Sequence, residues 1–543
     1  MSLWKAHTND KIMKIYKTLI FITLATTLTL LTVLLQNDHT VKEEVSAGFV
    51  RLEDGVFKLD QDTFFPLMLN YIVEFRNPDG HFTVSPDKSY DYIDRYESNT
   101  KEEIAHQMRG HFQLIKEMGF NTLRICFDRV GQDESGHYYY QADEQQYYLT
   151  RDYPAIIAGL EEMLKVAEDA DLRVMLLIKA PMNKELKRFT AHLLHALRNN
   201  KTIFAYDFAN EPLYFDDNPK RTKQEAYHIV DSWHKMMQKH APHQLFTIGF
   251  AEPLEVFEWD PSLLPVDFLA FHTYHPLRVP NEIYWYSTYV GKPWMLGETA
   301  LPADNDSISY DDQRQFMREV YRYVRDCGGI GMGWWEYQEV SASGFEARYT
   351  ALLNHEGITR TREGGYEIIG TVKPAAAEIA HFADYQPQPK WQAVNYYNMM
   401  GYQNYLIRGQ VVDKVTGQPI EGAVVRGWNE YWNVGQNTFT DSLGRFTLYS
   451  NDECVHFEIS ACGMTKLKFN DRTIQYQPVN GYVETEELPD RQLEYHQISY
   501  HPFLNTSILD SNHRIFNFND SLLHRCRLVG EMKPCKLSKV TLK

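Results

Sequence analysis

The stretch IFAYDFANEP, residues 203–212, decides how the chain is read. A strand-like apolar run, Ile203 to Phe208, stops abruptly at Asn210-Glu211-Pro212. Proline can continue neither a β-ladder nor a helix interior. An amide and a carboxylate therefore stand where the run ends. One explanation is an ordinary turn. The other is a site at the mouth of a barrel.

Similar runs recur on both sides of it. Strands are expected at 65–71, 120–127, 173–179, 203–209, 244–250, 267–272, 293–297 and 329–335. Most are followed by residues at helical spacing. Ile104, Met108, Phe112 and Ile115 share one face, with Gly119 where a helix would end. The same period runs through Ile156, Ile157, Leu160, Met163, Leu164 and Ala167, and through Leu186, Phe189, Leu193 and Leu197. Ile229, Val230 and Trp233, then Phe316, Val320 and Val324, make two more stripes. Repeated strand–helix units imply a parallel sheet, and eight of them imply a (β/α)8 TIM barrel over residues 48–385. A doubly wound sheet is the alternative, but no Gly-rich phosphate loop follows the first strand.

A chain of 543 residues exceeds one ordinary core. Residues 18–35 carry no charge and follow Lys11, Lys14 and Lys17, which reads as a signal peptide or membrane anchor over 1–36. The body is then expected to be exported: periplasmic, at the cell surface or secreted. Residues 37–47 read as a linker and 386–401 as a connector. Over 402–500, short alternating runs broken by Thr-Gly, Glu-Gly and Leu-Gly read as an all-β sandwich. Residues 501–543 receive no assignment. The formal net charge of −17 argues against nucleic acid or an anionic membrane surface as the main partner. Membrane association would come through the N-terminal segment alone. The six cysteines show no C-x-x-C pair, so no zinc site is expected. Cys126 and Cys327 read as buried thiols. Cys454 with Cys462, or Cys526 with Cys535, are possible bridges.

Functional side chains of such barrels come from the carboxyl ends of strands. There stand Arg124, then Asn210-Glu211, His272-Thr273-Tyr274-His275, Gly297-Glu298 and Trp334-Trp335-Glu336. Glu211 and Glu298 fall at comparable heights on strands four and seven. In a closed barrel they face one another, an arrangement that suits glycoside cleavage. The spacing of His272, Tyr274 and His275 hints at a metal, but no further ligand cluster supports it.

The segments GFNTLRICF, YDFANEP, FHTYHP, WMLGETA and GMGWWEY, in that order, resemble the retaining glycoside hydrolases of clan A, most closely family five. The resemblance covers about 48–385. It implies Glu211 as general acid/base and Glu298 as nucleophile, with no metal or organic cofactor. It implies that Asn210 binds the sugar 2-hydroxyl and that Arg124 favours the charged form of Glu298. Tyr274 would donate to Glu298, His272 would line the same wall, and Trp335 would form the sugar platform. Strand three ends in Lys179, where many family members carry a histidine. Gly409, Val411, Asp413, Gly417, Pro419, Gly422-Ala423, Val425, Asp441, Gly444 and Phe446 resemble the carboxypeptidase-regulatory-like sandwich, which implies a fold and no chemistry.

Each residue also has a plain structural reading. Glu211 and Glu298 can be solvated turn residues, Arg124 the partner of a structural carboxylate, and His272 a core histidine. One of Trp334 and Trp335 should face the core and the other the mouth. Glu336 reads as a loop or supporting group. The tyrosines 138–140, 147 and 148, and Tyr284, Trp285, Tyr286 and Trp294, either extend a sugar cleft or pack long loops. The expected activity is retaining hydrolysis of a β-linked polysaccharide or oligosaccharide. A transglycosidase, an inverting enzyme and a non-catalytic glycan-binding surface protein are the alternatives.

Overall fold

The computed structural model describes residues 47–91, 100–218, 220–274, 278–303, 308–339, 349–354, 358–362, 365–369, 372–382, 385–388, 405–413, 416–433, 435–450, 452–470, 477–478 and 538–542. The expected leader at 1–36 lies outside them, as do Cys526 and Cys535. Among the described residues no helix is long and apolar enough to cross a membrane. Residues 47–49 and 59–62 belong to one unit, and the other described residues belong to a second.

Eight parallel strands close into a barrel: β1 (Leu67–Arg76), β2 (Thr122–Phe127), β3 (Arg173–Ile178), β4 (Ile203–Asn210), β5 (Leu245–Phe250), β6 (Leu269–His272), β7 (Trp294–Glu298) and β8 (Met332–Trp334). Their spatial order follows the chain. Closure comes from β8 against β1, with Met332 opposite Leu67 and Trp334 opposite Leu69. Gly333 permits the tight approach of β7, since a Cβ there would lie 2.0 Å from the Gly297 carbonyl oxygen. All eight expected runs are barrel strands.

Around them lie α1 (Lys101–Glu117), α2 (Tyr153–Asp169), α3 (Lys184–Leu197), α4 (Lys223–His240), α5 (Val279–Tyr289) and α6 (Tyr310–Asp326). The apolar stripes read from sequence are mostly the buried faces. Thr100 with Glu103, Thr222 with Glu225 and Ser309 with Asp312 form capping boxes that satisfy the first-turn amides. Between β5 and β6 a 3-10 turn, Pro253–Phe257, takes the place of a long helix. The crowded aromatics mostly serve packing. Trp285 and Tyr286 sit on α5 and are buried, as are Trp294 and Tyr140. Tyr138 differs: it lines a cavity described below.

After the barrel, β9 (Tyr405–Asp413), β10 (Val424–Asn429), β11 (Gly435–Phe439), β12 (Arg445–Ser450), β13 (Cys454–Ser460) and β14 (Leu467–Asn470) form two antiparallel sheets. Ile407, Val425, Leu448, Phe457 and Ile459 fill their shared core. Ser538–Leu542, from the stretch left unassigned in sequence, pairs in parallel with β9. Cys454 and Cys462 are free thiols, so the bridge considered between them is not formed. Cys454 packs in the sandwich core, while Cys462 packs against the barrel's core. Cys126 and Cys327 are buried thiols, as expected.

The sheet of β11, β10, β13 and β14 lies against the barrel. Val424 and Phe439 belong to the barrel's own hydrophobic cluster. The Trp285 indole donates to the Gly422 carbonyl at 2.9 Å, and Lys223 Nζ donates to Asp260 at 2.8 Å and to the Ala461 carbonyl at 2.9 Å.

Candidate active site

Alternation along the strands places polar groups inside the barrel while their neighbours build the core. Asn70 lies between Leu69 and Tyr71, Arg124 between Leu123 and Ile125, and Asp207 between Tyr206 and Phe208; all of these flanking side chains are buried in the main cluster. Arg124, itself fully buried, organises the centre with five hydrogen bonds. Nε and Nη2 donate to Asp207 Oδ2 at 3.0 and 2.8 Å, Nη1 to Asn70 Oδ1 at 3.0 Å, and Nη2 to Asn210 Oδ1 at 2.8 Å. Nη1 also donates to Glu298 Oε1 in an ion pair. Burial by itself lowers the guanidinium pKa, but Asp207 and Glu298 more than reverse this, so Arg124 is held charged.

Glu298 ends β7 and is almost wholly buried. Its second oxygen accepts a hydrogen bond from the Tyr274 hydroxyl. Asn70 fixes the strand that carries it, donating to the Gly297 carbonyl at 3.2 Å and the Trp334 carbonyl at 3.0 Å.

Glu211 follows β4 in the left-handed region, φ 43°, a conformation that costs a non-glycine residue roughly 1–3 kcal/mol. Its surroundings hold it there. Its amide donates to the Gly249 carbonyl at 2.7 Å, and its carbonyl accepts from Tyr214 at 2.9 Å and Phe215 at 3.0 Å. Glu255 braces the next turn, accepting from the Leu213 and Ala251 amides at 3.1 Å each. Burial, then the charges of Glu252 and Asp207 against the opposing Arg124, raise the Glu211 carboxyl from 4.5 to about 7.

His272 ends β6 between the two acids. Its Nδ1 lies 2.9 Å from Glu211 Oε1 and 3.5 Å from Glu298 Oε1. Burial lowers its pKa to about 4, so the ring is neutral at pH 7. Nε2 has no hydrogen-bond partner among the described residues, so the ring proton is assigned to Nδ1, where two acceptors wait. Two glycines make room for the imidazole. A Cβ on Gly249 would lie 2.8 Å from its Cε1, and one on Gly297 3.0 Å from its Cδ2.

One oxygen of Glu211, one of Glu298 and a ring nitrogen of His272 all lie within 4.8 Å of one another. These three could be considered as cation ligands. The fit is poor, because the Arg124 guanidinium already occupies Glu298 Oε1 and a second cation there would be repelled.

Hydrogen bonds join Arg124, Asn210, Tyr274 and Glu298, and His272 with Glu211, and the 3.5 Å approach of His272 to Glu298 brings these six sequence-selected residues together. The seventh, Trp335, is half-buried after β8, and its amide donates to Thr299, the residue after Glu298, at 3.0 Å. Trp334 turns inward and is buried. Glu336 is buried too, accepting from the Tyr90 hydroxyl at 3.1 Å. His275 lies outside the described residues. Sequence reasoning passed over Asn70, Asp207, Glu252 and Glu255. For the first two a signal existed, a polar residue inside an apolar strand run. Beside Asn210 opens a cavity of about 340 Å3, lined by Asp128, Tyr138, Lys179, Phe215, Asp216 and Trp259 among others. Lys179, where a histidine was the family pattern, is exposed on its wall.

No family model matches the chain, and no curated protein matches it. Among solved structures it is similar to an exo-β-1,4-mannosidase from Opitutaceae bacterium strain TAV5, at 14% identity over 61% of this chain and 62% of that one, with a TM-score of 0.44. It is also similar to an endo-1,4-β-mannanase from Rhizomucor miehei, at 14% identity over 61% of this chain and 99% of that one, TM-score 0.41. A third is the family 1 β-glucosidase from Thermotoga maritima, at 9% identity over 59% and 98%, TM-score 0.40. The chain thus spans under two thirds of the length of the first of these. The chemistry of the site rests on its own atoms.

Proposed function

We propose that this protein is a retaining β-glycoside hydrolase, with Glu211 as acid/base and Glu298 as nucleophile. One observation carries the reading: a carboxyl raised to about 7 has an oxygen within 4.8 Å of an oxygen of a carboxylate paired with a buried arginine. Retention needs carboxyl groups about 5–5.5 Å apart, whereas inversion needs about 6.5–9.5 Å to admit a water. A contact between single oxygens within 4.8 Å is compatible with the shorter, retaining separation.

In the first step a Glu298 oxygen attacks the anomeric carbon as the bond to the leaving oxygen breaks. The Glu211 proton passes to that oxygen, and an ester to Glu298 forms. In the second step Glu211, now ionised, takes a proton from water. The water oxygen attacks the same carbon, and the Glu298 carboxylate is released. Arg124 and Tyr274 stabilise the negative charge that returns to Glu298. The Nδ1 proton of His272 lies between the two acids and suits whichever is ionised. Because Arg124 engages the Asn210 oxygen, the Asn210 amide nitrogen is left to donate to a substrate hydroxyl. Trp335 is the platform for the sugar, and the cavity beside Asn210 takes part of the substrate.

The test is hydrolysis of a panel of p-nitrophenyl β-glycosides by wild type and Glu298→Ala, with the first-formed anomer read by NMR. Turnover lost in the variant, with a β-anomer formed first, is expected. Equal rates for both proteins would end the catalytic reading, and an α-anomer would end the retaining one.

A further inference from the structure

The sheet that docks on the barrel continues past its contact. On β10, Val424, Arg426 and Trp428 share one face. Val424 is buried in the barrel's cluster, and Ser460 opposite it donates to the Val256 carbonyl at 3.4 Å. Two residues on, the Arg426 guanidinium feels the charge of Glu458 on its own sheet most, and next those of Glu252 and Tyr214. Those two groups belong to the wall beside Glu211: Tyr214 donates to Glu252 at 3.2 Å, and Glu252 helps raise Glu211. Two further on, Trp428 lies 4.2 Å beneath the Arg426 guanidinium. Its ring spreads over the neighbouring strand, where Gly435 leaves the space; a Cβ there would lie 2.6 Å from the indole. Trp432 follows with its centroid 6.1 Å from that of Trp428.

The turn holding Trp432 is built to keep it out. Trp432 has φ 59°, a left-handed conformation that an aromatic residue rarely adopts. Buried Asn429 holds the turn, donating to Asn433 at 2.7 Å and Asp452 at 2.8 Å while accepting from the Asn433 amide at 3.1 Å. His456 stacks on Trp432 at 4.1 Å, and both its ring nitrogens are hydrogen-bonded. Even so, Trp432 remains 43% exposed and its neighbour Tyr431 79%. A strained turn kept in place to expose two aromatic rings points to a ligand.

We propose that this shelf of Arg426, Trp428, Tyr431 and Trp432 binds the polysaccharide chain beyond the leaving-group side of the cleft. The inference rests on the proposed function and deepens it: the substrate is a β-linked chain of several sugars. Continuity chooses the occupant. The shelf starts at the wall of Glu211, the acid that protonates the leaving oxygen, so a chain leaving the cleft there meets it. Arg426 covers Trp428 at 4.2 Å, and His456 and Lys468 lie against Trp432 at 4.1 and 4.9 Å, so Tyr431 offers the open ring and the cations and indoles frame it; sugars, with apolar faces rimmed by hydroxyls, suit such a surface. The chain's acidic balance disfavours a polyanion.

The test uses full-length Glu298→Ala protein, which leaves polymer intact, in native gels cast with galactomannan, mixed-linkage β-glucan or xyloglucan. Retardation by at least one is expected. Trp432→Ala and, at a site with little folding burden, Tyr431→Ala should each weaken it about fivefold. In active protein the same changes should raise KM on that polymer, while kcat/KM on an aryl β-glycoside, too short to reach the shelf, stays within about twofold. No retardation in any gel, or equal retardation of parent and variants, overturns the shelf. Failure of wild type to cleave any aryl glycoside would instead overturn the proposed function, and the gels would still judge the shelf.

Discussion

Replacing Glu252 by Gln should move the alkaline limb of activity to lower pH. In the wild type, burial first, and then Glu252 and Asp207 against Arg124, raise the Glu211 carboxyl from 4.5 to about 7. An acid of pKa 4.5 is roughly 0.3% protonated at pH 7, and one of pKa 7 about half, so the shift supplies about 150-fold more acid. The whole rise amounts to about 3 kcal/mol. Burial survives the substitution, so the limb should settle between 4.5 and about 7. Arg278, which donates to Glu252 at 2.5 Å, also loses its counter-charge, and its field acts in the same direction. The assay is kcat/KM for the best p-nitrophenyl β-glycoside from about pH 4 to 9, since this parameter reports the free enzyme's acid. Wild type should lose activity tenfold per unit above a midpoint near 7, and the variant should begin its fall earlier. Coincident limbs would refute the part given to Glu252. A wild-type limb near 4.5 would refute the description of Glu211 as a buried acid.

Glu211→Ala should lose about 10²–10⁴-fold in kcat/KM on glycosides with poor leaving groups and little on 2,4-dinitrophenyl glycosides, whose departure needs no proton; equal losses on both would contradict the acid role. Gly249→Ala places a methyl 2.8 Å from His272 Cε1, so displacement of the ring should cost about 1–3 kcal/mol and lower kcat, read by thermal melts and kinetics; an unchanged melt and rate would contradict the wedge. Glu211→Gln tests linkage. A carboxyl with a raised folded pKa favours the fold below its unfolded value, 4.5, and that advantage is lost as pH rises through about 7. The Gln variant should therefore gain on wild type by up to about 3 kcal/mol at pH 9 relative to pH 4 in urea melts; a pH-independent difference would refute it.

The barrel was legible because burial repeats in sequence. Its strands are apolar on both faces and its helices on one, so run length and period mark them. The stretch Tyr284–Trp285–Tyr286 shows no such period, because α5 is covered by the barrel on one side and by the sandwich on another; Trp285 reaches the Gly422 carbonyl. Helix there was invisible for that reason. Glu211 and Glu298 could be chosen because each follows a strand run. Glu252 and Glu255 follow β5 by two and five residues, and a loop carboxylate shows nothing in sequence of what it braces.

The sequence by itself determined which residues reach the barrel mouth, because strand ends and alternation are local properties of the chain. Only the tertiary structure decided what each does there. Closing β8 on β1 puts Asn70, Arg124 and Asp207 into one buried network with Glu298. Glu211 becomes a reluctant acid through burial and through charges 4 and 41 positions away, at Asp207 and Glu252. Protonation state depends on field and solvent exclusion, and both sum over neighbours in space, whatever their distance along the chain.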